Sequence, residues 1–118
     1  MRLFFLILPL CIQVFANEAS YNRGEIIYFS KGCNSCHGPG AEGSSSYPKL
    51  ANAKEKYLVN KLKYFRKGRV DSISKEMMAQ FARKLTTKDI EDLTYFLAHH
   101  KNINIDDVPD DILGGFGS

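Results

Sequence analysis

Hydrophobic positions along this chain change spacing from one stretch to the next, and each spacing predicts a different element. Leu3 to Ile12 is a nearly unbroken apolar run. Gly24, Ile27, Tyr28 and Lys31 then fall on one face at helical spacing, predicting a helix from about Tyr21 to Lys31 that Gly32 ends. His37 to Ser46 is too rich in glycine and serine for regular structure and reads as loop. Leu58, Leu62 and Phe65 form the next stripe, flanked by Tyr57 and Tyr64. Asn52-Ala53-Lys54-Glu55 reads as a capping box ahead of that helix, which runs to about Lys67 and stops at Gly68. Arg69 to Lys75 reads as loop, with a short helix following through Met77 to Lys84. Thr86 to Asp89 is a second capping signal. The helix behind it, from about Thr87 to His99, buries Ile90, Leu93, Phe96 and Leu97. His99 and His100 at its end suit a helix carboxyl terminus and read as caps or surface residues. No alternating strand pattern and no internal repeat occur, so the expected fold is all-α.

The first apolar run changes this picture at the amino terminus. Arg2 precedes it and Val14-Phe15-Ala16 follows with small residues at cleavage positions, the layout of a signal peptide. The run is short of the roughly 20 residues a membrane span needs. The expected organisation is a signal peptide at 1–16, one domain at 17–102 and an acidic, Gly-rich flexible tail at 103–118. An uncleaved anchor is the alternative. Cys11 lies within the signal and has no assigned role. The expected location is the periplasm, with no stable membrane insertion of the mature chain.

The other two cysteines carry the chemistry. Cys33-Asn34-Ser35-Cys36-His37 reads Cys-x-x-Cys-His, the attachment motif of a c-type haem. Two thiols form thioethers with the two vinyl groups of one porphyrin, and the adjacent histidine reaches the iron. A zinc site would want a second ligand pair, and no cysteine follows Cys36. A thioredoxin-like site would want a βαβ pattern. One covalently bound haem c is therefore the expected cofactor. It would also supply apolar surface that a core of about 85 residues lacks. The Pro48 carbonyl is an acceptor that could orient the other nitrogen of His37; the alternative is an ordinary turn proline. Gly24 costs helix stability, which suggests close approach by another element, or else only a frayed first turn.

The formal charge of +3 falls to +2 without Arg2, and two haem propionates bring it near zero, so nucleic acid is not an expected partner. The distribution matters more. Lys49, Lys54, Lys56, Lys61, Lys63, Arg66, Lys67 and Arg69 crowd the segment 49–69, opposed only by Glu55. Asp106, Asp107, Asp110 and Asp111 lie in the tail. The basic segment is a candidate docking surface for redox protein partners, or simply a solvated helix face.

In order, Gly24, the Cys33–His37 motif, Tyr47-Pro48-x-Leu50, Tyr57-Leu58, Leu62-x-x-Phe65-x-x-Gly68, Met77-Met78-Ala79 and Leu85 to Leu97 resemble the class I cytochromes c, in particular short single-haem bacterial periplasmic ones. The resemblance covers Gly24 to Leu97 and leaves the tail unexplained. It implies helices packed around one haem, with the first and last crossing where Gly24 meets Phe96. It implies His37 as proximal iron ligand, a distal methionine, and Pro48 and Leu50 against the cofactor. Matching the segment before Leu85 puts that methionine at Met78, with Met77 as the rival; the plain alternative for either one is core filler. The implied function is a soluble electron carrier that is not an enzyme. The alternatives are a haem subunit of a larger oxidoreductase, or a sensor or enzyme binding a small ligand at an open distal position.

Overall fold

The computed structural model describes residues 4–68 and 71–101, with side chains from Ile12 onward. Arg69 and the stretch 103–118 lie outside the described residues. Among the described residues five helices follow in order: α1 (Phe4–Ser30), α2 (Asn34–His37), α3 (Glu55–Arg66), α4 (Ile73–Ala82) and α5 (Thr87–Ala98). No strand occurs among the described residues, so the all-α expectation holds. No helix among them is long and apolar enough to cross a membrane.

α5 is the best specified helix. The Thr86 hydroxyl accepts the Asp89 amide at 3.0 Å, while the Asp89 carboxylate accepts the Thr86 amide at 2.9 Å. These reciprocal bonds satisfy amides that the first turn leaves unpaired. Ile90, Leu93, Phe96 and Leu97 are buried, as their spacing predicts. Thr94 is buried too, and its hydroxyl donates back to the Ile90 carbonyl at 2.7 Å.

α1 crosses α5 at Gly24. A Cβ there would lie 2.6 Å from the Phe96 Cβ and collide with the Asp92 carbonyl, so only hydrogen permits this approach. Tyr21 meets the Phe96 ring edge-on at 5.0 Å, and Tyr28 packs on the same ring at 5.8 Å. Beside this apolar contact Asp92 is buried and fully engaged. It accepts from the Ser20 hydroxyl at 2.7 Å, from Arg23 at 3.0 Å and from Lys88 at 3.2 Å. Burial alone would raise its pKa. The bonds from Arg23, Ser20 and Lys88 outweigh burial and hold the carboxyl below its usual value.

Three boundaries differ from the sequence reading. α1 begins at Phe4 rather than near Tyr21, so one helix takes in the apolar run and the polar stretch after it. Asn52 does not cap α3. It sits at φ 60°, and its amide donates to the Leu97 carbonyl at the end of α5. Lys54 occupies the cap position with no side-chain bond, and α3 starts at Glu55. α4 begins at Ile73, inside the stretch read as loop, because the Ser72 hydroxyl accepts the Lys75 amide and caps it there. The stop at Gly68 is present, at φ 74° with its amide bonded to the Phe65 carbonyl.

A candidate cofactor cleft

α3 packs on α4 and α5, and the space between them and the Cys33–His37 segment is a cleft of about 400 Å³, within the range of small-molecule sites. Cys33, Cys36 and His37 line it from one end, Leu58 and Leu62 from α3, Met77 and Met78 from α4, and Leu93 and Leu97 from α5. The walls are mostly apolar. Several apolar side chains at this cleft stay half exposed, among them Tyr57, Met77 and Phe81. A domain of this size exposing such a surface is built to have it covered.

The His37 environment is specific. The residue is 8% exposed, and Nδ1 lies 2.9 Å from the Pro48 carbonyl oxygen. A carbonyl only accepts, so Nδ1 is the protonated nitrogen of this contact, and in the neutral ring Nε2 carries the lone pair. That is the state an imidazole needs to bind a metal, with its other nitrogen fixed by a carbonyl. The loop after the histidine is tied by its own backbone. Gly43 donates to the His37 carbonyl at 2.8 Å, and Leu50 and Ala51 both donate to the Ala41 carbonyl at 3.0 Å. Leu50 itself lines the cleft.

Met77 and Met78 both reach the cleft, but differently. Met78 is partly buried and packs against the core cluster, whereas Met77 is 50% exposed. Successive residues on a helix are rotated by about 100°, so one of two neighbours faces inward more squarely. Of the basic segment, Lys49 and Lys61 border the cleft, and Lys75 joins them from α4, paired with Asp71 at 2.8 Å. Lys54 does not line it.

The arrangement disfavours two other chemistries for the cysteine pair. Redox-active thiols are held low to expose a thiolate. Burial instead pushes the Cys33 thiol up to about 11. Among the described residues no three His, Cys, Asp or Glu side chains group as a set able to hold a metal ion by themselves. Two neighbouring thiols, one imidazole lone pair and an adjacent thioether around an apolar slot do fit a haem.

Sequence spacing did not single out Tyr28 as more than a packing residue. It is fully buried, lines the cleft, and donates its hydroxyl to the Gly38 carbonyl. Burial foremost holds its phenol above the ordinary value, so it remains a donor. A tyrosine five residues before Cys33 was the only available signal, and spacing cannot tell its hydroxyl bond from ring packing.

Comparison with known proteins agrees with this geometry. Over 85 residues the chain is 31% identical to cytochrome c4 of Azotobacter vinelandii, covering 70% of this chain and 40% of that protein. Over 82 residues it is 29% identical to cytochrome c-552 of Acidithiobacillus ferridurans, covering 69% of this chain and 34% of that one. The matched region thus spans only about a third to two fifths of these relatives. The cytochrome c family model matches residues 21–101, from Tyr21 on the α1 face that meets Phe96 to Lys101 just beyond α5. The chain belongs to the cytochrome c family, in its class I form.

Proposed function

We propose that this domain is a periplasmic electron carrier holding one haem c, attached through Cys33 and Cys36 and ligated by His37 and Met78. The observation that carries this reading is the 2.9 Å contact between His37 Nδ1 and the Pro48 carbonyl, beside two cysteines lining an apolar cleft. Haem in such a site supplies a one-electron couple. The protein's part is to hold the imidazole lone pair in place, to offer a thioether from α4 and to exclude water with Leu58, Leu62, Leu93 and Leu97. Burial and thioether ligation both favour a raised potential. His37 and Met78 would together hold the haem iron with the chain's own residues, which supports a carrier over an enzyme. Export is supported by the Arg2, apolar-run and Ala16 pattern. Redox partners meet the cleft mouth, where Lys49 and Lys61 stand.

The visible and near-infrared spectrum of the purified protein tests this reading. Covalent, low-spin haem with a methionine–iron charge-transfer band is expected, with no carbon monoxide binding to the reduced protein at neutral pH. Met78→Ala should keep the haem, lose the band and bind carbon monoxide, while Met77→Ala keeps the band. Carbon monoxide binding by the unaltered protein would point instead to a ligand-binding sensor or enzyme.

A further inference from the structure

We propose that Tyr28 is a positioning residue that holds both ends of the Cys33–His37 segment and so fixes the direction of the His37 ring. The inference rests on the reading of His37 as an iron ligand.

The geometry is bilateral. On the upstream side the Tyr28 carbonyl accepts the Cys33 amide at 3.0 Å. On the downstream side the Tyr28 hydroxyl donates to the carbonyl of Gly38, the residue after His37. One fully buried residue therefore brackets the motif. The Gly38 carbonyl also accepts the Ala41 amide at 3.1 Å, so the hydroxyl acts on a turn, not on a loose end. That turn leads into Gly43, which donates to the His37 carbonyl, and onward to Pro48, whose carbonyl receives the His37 Nδ1 proton. Ser44 donates to the Tyr47 carbonyl at 2.8 Å and ties this return path together.

The other end of Tyr28 is anchored in the α1–α5 contact. Its ring packs on Phe96 at 5.8 Å, within the α1–α5 crossing. The hydroxyl thus transmits the position of that crossing to the turn that aims His37. A phenylalanine would keep the ring contact, the bond to Cys33 and the Gly38 amide bond to Asn34, but would leave the Gly38 carbonyl bonded to the Ala41 amide alone. The expected result is a looser turn at unchanged packing.

The test uses the reduced, diamagnetic holo-protein and compares Tyr28→Phe with the unaltered chain by NMR. Solvent exchange of the His37 Nδ1 proton should speed up about tenfold, the scale of one lost hydrogen bond in a local opening. The amides of Leu93 and Leu97 in α5 should stay within about twofold, because their protection follows the global fold. A merely structural role would accelerate His37 and α5 by the same factor, and that outcome, or no acceleration, overturns the proposal. If Tyr28→Phe yields no folded holo-protein, the unaltered chain decides. Its Tyr28 hydroxyl proton should exchange slowly enough to be observed at low temperature, whereas those of Tyr57 and Tyr64 should not. A Tyr28 proton as labile as theirs rejects the bond. A protein without covalent haem overturns the site reading and the latch together. A haem-bearing protein with unchanged exchange overturns the latch alone.

Discussion

α5 serves two regions at once, and they are finished to different degrees. Asp92 and Phe96 face α1, where ring packs on ring and all the buried polar atoms of Asp92 have partners. Leu93 and Leu97, one position on, face the cleft, where apolar side chains from α3 and α4 stop short of one another. The crossing is complete from the chain's own residues. The cleft is complete only with a group the chain does not encode. The difference teaches that the crossing sets the frame, while the cleft sets how much stability depends on the cofactor.

The largest effect should come from leaving the cleft unfilled. Cavities in cores cost about 24 cal/mol per Å³, so 400 Å³ corresponds to at most about 10 kcal/mol, an upper bound because the cleft is open to water. That is comparable with the whole stability of a small domain. Replacing Cys33 and Cys36 with serine should therefore abolish covalent haem staining and the cooperative thermal transition followed by circular dichroism. A sharp transition in the haem-free variant would show that the crossing suffices by itself.

Gly24→Leu breaks the crossing instead. Overpacking typically costs about 1–3 kcal/mol, and here the collision is with backbone at Asp92, which cannot rotate away. The expected result is a lower melting temperature with the haem spectrum retained. Melting at or above the original temperature would refute the close contact.

A smaller effect should follow at Asp92. Its carboxyl is held below the ordinary 3.8, so its contribution is fully present above the unfolded value and is lost as pH falls through the folded one. Denaturant titrations should show stability falling below about pH 4, and Asp92→Asn should flatten that fall while lowering stability near neutral pH by about 1–3 kcal/mol. An unchanged acid limb would place the responsible group elsewhere.

The smallest effect concerns the cleft mouth. Lys49→Glu with Lys61→Glu should slow electron exchange with an acidic partner at about 10 mM salt and leave it little changed at about 150 mM, where the Debye length falls from about 30 Å to about 8 Å. Salt-independent rates would leave these lysines a solvation role only.

What could be read from the chain followed from how local each signal is. The haem motif, the Thr86–Asp89 cap and the inward faces of α3 and α5 are set by residues within a few positions of each other. The Gly24–Phe96 contact came from family resemblance, since no local rule pairs positions so far apart. Asn52 misled because its conformation answers to Leu97, a distant carbonyl, and not to the helix just after it. Asp92 was passed over because a charged residue between apolar ones looks solvated until Arg23, Ser20 and Lys88 are seen around it. The preference for Met78 over Met77 also came from family resemblance, and their difference in burial is a tertiary property that spacing on one helix does not contain.

The α1–α5 crossing has a consequence for assembly in time. Its bond from Ser20 to Asp92 spans 72 positions, and closing a loop of that length costs about 4 kcal/mol in chain entropy beyond a constant term. Neither helix can stabilise the other until the last has been made. A chain emerging from its amino terminus therefore presents Cys33, Cys36 and His37 while α5, which supplies Leu93 and Leu97 to the cleft, does not yet exist. The thiols meet solvent first and core afterwards, so the fold leaves an interval for chemistry at the motif before it closes over the product.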